Sequence, residues 1–198
     1  NRGVDKRKIF NDTDDLARFI ESIKSFNELE AIGGIFRSNL KQNNLRTPTS
    51  QIVTFISFNI LDNHFHFILR QDEDNGIDKF MQRFLGGYTK YFNAKHSRSG
   101  SLFQGRFKSK LVDSNNYLLR LFSYVNYNDK LHGDLRTPTS QFVRSSLDFI
   151  LGKGKSVIEC DPSIVIEQFK DLYTLKNFMD EAFKDIKYNK EMQKELEI

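Results

Sequence analysis

His64 and His66 stand two residues apart in the run Asn63-His64-Phe65-His66-Phe67-Ile68-Leu69. The run reads as a β-strand, and a strand sends alternate side chains to opposite faces. His64, His66 and Ile68 then share one face, and Phe65, Phe67 and Leu69 share the other. The apolar face can bury against helices. The histidine face can present two imidazoles to one metal ion or one phosphate. Such a pair suits zinc, manganese or magnesium-type ions, or simply sits at a surface. A zinc hydrolase would usually add a third histidine or a carboxylate. The other histidines, His96 and His132, fall in predicted loops.

A second constellation lies downstream. Tyr124 and Asn128 are four residues apart in a stretch of helical periodicity, so they lie one turn apart on one face. A tyrosine can attack a phosphate and keep it as a covalent ester, and an amide oxygen is a hard ligand for a third metal position. Taken singly, Tyr124 is more commonly a half-buried helical tyrosine, and Asn128 the residue that closes a helix. Tyr127 is the rival nucleophile, and helical geometry points it about 60° away.

These residues need elements to hold them. Asn11-Asp12-Thr13-Asp14 supplies capping residues for a helix over about 13–28, with Leu16, Phe19, Ile20, Ile23 and Phe26 at helical spacing. Gly33-Gly34 breaks the pattern, and the polar stretch 37–50 with Pro48 is a loop. Gln51–Ile60 and His64–Arg70 are predicted antiparallel strands joined by Leu61-Asp62-Asn63. A long amphipathic helix follows over about 76–94, although Gly86-Gly87 weakens it by roughly 1 kcal/mol per glycine. Leu102–Val112 is expected as a short hairpin or strand. Helices are predicted at about 115–128, near 140–151, and at about 162–170 and 174–186, with a linker at Gly152–Ser156. Leu-Arg-Thr-Pro-Thr-Ser-Gln occurs at both 45–51 and 135–141. Seven residues are too few for a structural repeat, and a repeated DNA element captured in two loops would account for them.

The chain has 198 residues, 38% hydrophobic and 13% aromatic, with 19 Phe and no Trp, which is enough for a true core and argues against global disorder. Cys160 is the only cysteine, so an internal disulfide and a zinc–thiolate cluster are excluded. A reducing cytoplasm is the expected compartment, with no membrane span or secretory signal. The net charge of +4 is unevenly spread. From Lys79 to Val112 there are eight basic residues and no acid, whereas from Glu159 to Ile198 ten acids face six lysines. A basic middle with interleaved Phe84, Tyr88, Tyr91, Phe92, Phe103 and Phe107 suits single-stranded nucleic acid, whose bases stack on aromatic rings. Most of these rings also serve as core.

Several segments together resemble the single-tyrosine HUH transposases, IS200-like in type, and within them the REP-associated tyrosine transposases. They are Asn1-Arg2-Gly3-Val4 to Ile9-Phe10, Asn63 to Gln71, Phe80 to Asn93, Gly100 to Ser109, and Tyr124-Val125-Asn126-Tyr127-Asn128. The resemblance implies an α+β fold, an antiparallel sheet backed by helices (ferredoxin- or RRM-like), over 1–151, with a C-terminal helical extension over 157–198. It implies His64, His66 and Asn128 as ligands of a divalent metal, Mg²⁺ or Mn²⁺, and Tyr124 as the nucleophile that forms a 5′-phosphotyrosine. Arg83, Lys90, Lys95, Arg98, Gln104, Arg106 and Lys108 are the expected contacts to single-stranded DNA of hairpin or repeat structure. The protein would act as a monomer or homodimer. Two features depart from the family pattern: Asp129 follows Asn128 where a proline is usual, and a strand normally precedes Asn-Arg-Gly, so a segment upstream of Asn1 is expected. The competing expectations are a replication-initiator-type nickase of the same HUH class, a domesticated hairpin-DNA-binding protein that does not cut, and a small zinc hydrolase.

Overall fold

The computed structural model describes residues 1–29, 51–131 and 142–196. The Gly33-Gly34 break, the loop over 37–50, His132 and both copies of the duplicated heptapeptide, Gln51 aside, lie outside those residues. The chain is α+β, about 51% helical, with a three-stranded antiparallel sheet.

Helix α1 (Thr13–Phe26) begins where the Asp12 carboxylate accepts the Asp15 backbone N–H at 2.9 Å, satisfying a donor that the first helical turn leaves open. Strand β1 (Val53–Ile60) starts two residues after the predicted Gln51, and β2 (Phe65–Gln71) one residue after His64. The third strand, β3 (Arg144–Ser145), completes the order β2-β1-β3, with Asn59 opposite Ser145 and Ile60 opposite Arg144. Helix α2 (Gly76–Lys95) matches its predicted span.

Five predicted elements take a different form. Leu102–Val112 is neither hairpin nor regular strand: Phe103 makes one isolated bridge to Gly3, and Gly105 then turns the chain with φ +68°. The helix expected over 115–128 ends early, as α3 (Asn115–Asn126), because Tyr127 leaves the helical region at φ −108°, ψ 13°. A short α4 (Asn128–Leu131) follows. The helix expected over 140–151 is split into β3 and α5 (Leu147–Ile150). The Ser146 N–H donates to the Phe58 carbonyl at 3.1 Å, so pairing with β1 replaces an intrahelical bond. In the tail, α6 (Ser163–Ile166) is shorter than predicted and α7 (Leu172–Leu196) much longer.

Two compact units share the strands. The first comprises the described residues of Asn1–Thr54, Asp62–Phe65 and Leu69–Lys108. Its core is aromatic: Phe19 meets Phe10, Phe65, Phe84 and Tyr88 edge-on at ring distances of 4.8–5.5 Å. Phe84, Tyr88 and Phe92 recur every four residues on α2, which sets them on one stripe against α1. The Tyr88 hydroxyl is buried with its ring and donates to the Ile9 carbonyl at 2.6 Å. The two glycines of α2 differ. A Cβ on Gly87 would fall 2.4 Å from Cε2 of Phe26, whereas one on Gly86 meets nothing within 4 Å. Close packing requires Gly87, and Gly86 is merely tolerated.

The second unit comprises Phe55–Leu61, His66–Ile68 and the described residues of Ser109–Ile198. Leu118, Phe122 and Val125 of α3 pack with Ile56 and Ile68 from the strands, and with Ile150, Val165, Leu175 and Met179. The tail helices are therefore part of the core that holds α3.

Candidate functional site

The histidine strand divides its two imidazoles between environments. His66, in the second unit, is half-buried, and its ring meets the ring of Tyr124 edge-on at 5.6 Å and 80°. The contact follows from β2 and α3: Ile68, two residues on from His66, is 4% exposed and joins the core beside Leu118, Phe122 and Val125. Tyr124 flanks that core from the same helix. His64, in the first unit, precedes β2 and is 3% exposed. It is bridged to Arg2, and its Nδ1 lies 2.6 Å from Oδ1 of Asn63. The histidine face is thus a packed face rather than an open surface.

The two tyrosines at the end of α3 are also set apart. Tyr124 is half-buried. Tyr127 is 1% exposed; its hydroxyl donates to Asp180 of α7 at 2.6 Å, Phe183 packs on its ring at 5.2 Å, and the Lys130 ammonium caps the ring at 3.9 Å. Burial, and next the Asp180 carboxylate, push the Tyr127 phenol well above the usual tyrosine range. Burial works against the Asp180 charge, but hydrogen bonds from Lys176 and Tyr127 outweigh it and hold the carboxyl below its usual range. A phenol so engaged is a poor nucleophile, because attack requires a deprotonated, accessible oxygen.

Asn128 is fully buried. It opens α4 rather than closing α3, so its direction does not come from one uninterrupted helix shared with Tyr124. Ties to β1 hold the chain on both sides of it. Upstream, Asn126 donates to the Phe122 carbonyl at 2.9 Å and accepts from the Ser146 hydroxyl at 2.8 Å, and that hydroxyl in turn accepts the Phe58 N–H at 3.1 Å. Downstream, Asp129 accepts from the Asn59 amide at 3.1 Å. These groups are polar and buried or nearly so, and the hydrogen bonds among them tie the Asn126–Asp129 corner to β1.

The basic residues of the middle segment fall into two groups. Arg83 donates to the Glu28 carbonyl at 2.8 Å, and Arg98 donates to Asn93 at 2.7 Å with its guanidinium over Phe92. Lys95 sits on Asp12 at 2.6 Å and on the buried Asp15 at 3.0 Å. These three have partners within the fold. Lys90, Gln104, Arg106 and Lys108 are exposed, and Phe107 between the last two is half-buried. Lys110 lies over the ring of Tyr117 at 4.5 Å.

Sequence reasoning missed the grouping of Asp12, Asp15 and His96, whose donor atoms lie within 4.8 Å of one another. The signal was present in the Asp-x-x-Asp start of α1 and the Lys95-His96 end of α2. The Lys95 ammonium occupies both carboxylates, so the group is an ion-pair network that ties α1 to α2. Among the described residues, no helix is long and apolar enough to cross a membrane.

Comparison with known proteins gives one family match. The family of IS200-like transposases matches residues 27–128, more than half of the 198 residues and a span that contains His64, His66, Tyr124 and Asn128. No curated protein and no solved structure matches the chain. The chain belongs to the IS200-like transposase family, and its function is of the transposase type, the processing of DNA.

Proposed function

We propose that the protein is a metal-dependent single-stranded DNA endonuclease and strand transferase, of the REP-associated branch, acting on hairpin or repeat DNA. Tyr124 is its nucleophile. The observation that carries this reading is the contrast between the two tyrosines: the Tyr124 ring lies against His66, while the Tyr127 hydroxyl is committed to Asp180.

In this reading the Tyr124 oxygen attacks the scissile phosphorus and the P–O3′ bond breaks. The electron pair leaves with the 3′ oxygen, which ends as a free 3′-OH. The phenol loses its proton to solvent, and the 3′ oxygen takes one up. One phosphodiester is exchanged for another, so a later attack by a 3′-OH can rejoin the strand without an external energy source. His64, His66 and Asn128 would hold Mg²⁺ or Mn²⁺. The residues fit such an ion: two imidazoles and an amide oxygen are hard or borderline donors, and the Nδ1 of His64 is engaged by Asn63. When bound, the ion stabilises charge developing on the phosphate oxygens. Lys90, Gln104, Arg106 and Lys108 contact the strand backbone, with Phe107 available for stacking.

The test is to incubate the protein with single-stranded hairpin DNA from the flanks of its own gene, with Mg²⁺ or Mn²⁺, and resolve the products on a denaturing gel. A covalent protein–DNA adduct is expected; Tyr124→Phe and chelation should each abolish it, and Tyr127→Phe should not. Absence of an adduct with every flanking hairpin and both metals would refute the reading in favour of binding without cleavage.

A further inference from the structure

Asn63 precedes His64, and its carboxamide is held at both ends. Its Nδ2 donates to the Lys6 carbonyl at 3.1 Å, and its Oδ1 lies 2.6 Å from Nδ1 of His64. Only an N–H can satisfy the Lys6 carbonyl, so that contact assigns which end of the amide is nitrogen. The end facing His64 is then oxygen, which can only accept. Nδ1 must carry the proton, and the lone pair of the neutral ring falls on Nε2.

The carbonyl that sets this orientation comes from an unusual turn. Asp5 and Lys6 are consecutive non-glycine residues in the left-handed region, at φ 54° and φ 58°. Such a conformation is strained and persists only where the surroundings impose it. The neighbouring backbone is pinned as well: the Gly3 N–H donates to the Asn63 carbonyl at 2.8 Å, and the Ile9 N–H donates to the Asp62 carbonyl at 2.7 Å. The turn is thus clamped on both sides of the Lys6 carbonyl.

We infer that Asn63 is a positioning residue that holds His64 in the Nδ1-protonated tautomer, with Nε2 directed to ligation of a divalent metal. The inference rests on the reading of His64 as a metal ligand. It adds a residue to the support of the site and a specific task for the strained Asp5-Lys6 turn. Partners of this kind, one bond behind a ligating imidazole, fix ring orientation and raise ligand basicity.

Two measurements test it. The first reads the His64 ring nitrogens by long-range ¹H–¹⁵N correlation in the metal-free protein at mildly alkaline pH. Wild type should show a protonated Nδ1, Asn63→Ala should revert to the Nε2-protonated form that predominates in water, and Asn63→Asp, which keeps an acceptor oxygen, should retain the wild-type form. The second measures Mn²⁺ binding by electron paramagnetic resonance. Asn63→Ala should weaken binding roughly 10- to 100-fold, and Asn63→Asp should largely preserve it. An Nε2-protonated His64 in wild type overturns the inference, and so does an unchanged tautomer in Asn63→Ala. If Asn63→Ala does not fold, the wild-type tautomer and Asn63→Asp still decide. His64→Ala examines the underlying reading separately: Mn²⁺ binding as tight as wild type would remove His64 from the ligands, and the inference would fall for that distinct reason.

Discussion

Replacing Tyr127 by Phe removes one oxygen and keeps the ring, which separates the two tyrosines at the end of α3 by role. The lost hydrogen bond runs to an ionised carboxylate at 2.6 Å, a class worth about 1.5–3 kcal/mol. Asp180 keeps its bond from Lys176, and the Phe183 and Lys130 contacts need only the ring, so the cost should sit near the lower end, about 1.5–2 kcal/mol. For a chain of this size that lowers Tm by roughly 3–8 °C. The deficit should depend on pH. The Tyr127 phenol is raised in the folded state, so its contribution is complete below the unfolded value of 10.0 and is lost as pH rises through the folded value. Asp180 is depressed, so its contribution is complete above the unfolded value of 3.8 and is lost as pH falls through the folded value. Thermal unfolding across pH should therefore show the gap between wild type and Tyr127→Phe widest between those limits and narrowing at each end. The covalent adduct with DNA should survive in the variant. An unchanged Tm, or a folded Tyr127→Phe that forms no adduct, would refute the assignment of Tyr127 to structure.

Three further outcomes are expected. Gly86→Ala should stabilise by about 0.5–1 kcal/mol, since α2 gains propensity at an open position, whereas Gly87→Ala should destabilise by about 1–3 kcal/mol as Phe26 is displaced; paired urea titrations that shift the same way would contradict the packing. The hydrogen bond from Lys95, and then the Asp15 N–H, hold the Asp12 carboxyl below its usual range, so its contribution is full above 3.8 and fades as pH falls through the folded value; Asp12→Asn should flatten the acid limb of a stability–pH profile. Arg106→Ala and Lys108→Ala should each reduce the salt dependence of single-strand binding by about one phosphate, a slope change of about 0.7, while Arg83→Ala, whose guanidinium serves the Glu28 carbonyl, should leave the slope unchanged.

Much of the frame was legible because periodicity and capping speak locally. The α1 stripe of Leu16, Phe19 and Ile23 and the α2 stripe of Phe84, Tyr88 and Phe92 follow directly from 3.6-residue spacing. The alternation of His64, His66 and Ile68 was legible too, but not that their face is packed, since Ile68 finds its partners on α3 and in the tail. What failed depended on tertiary competition. Residues 140–151 have helical spacing, yet Ser146 bonds to Phe58 on β1 and divides the stretch into strand and helix. Tyr127 ends α3 where its side chain docks on Asp180, a residue 53 positions away, so the expected i,i+4 relation of Tyr124 and Asn128 became two helices joined at a corner. Asn63 carried no pattern of its own, and only the Lys6 carbonyl, 57 residues upstream, defines its task.

The central claim is that Tyr124 carries the DNA. Its most direct measurement is mass-spectrometric mapping of the peptide left joined to nucleotide after the adduct is digested with protease and nuclease. A 5′-phosphate ester on Tyr124 and a free 3′-OH on the released strand are expected. Attachment at Tyr127, at any other residue, or through a 3′-phosphate would contradict it.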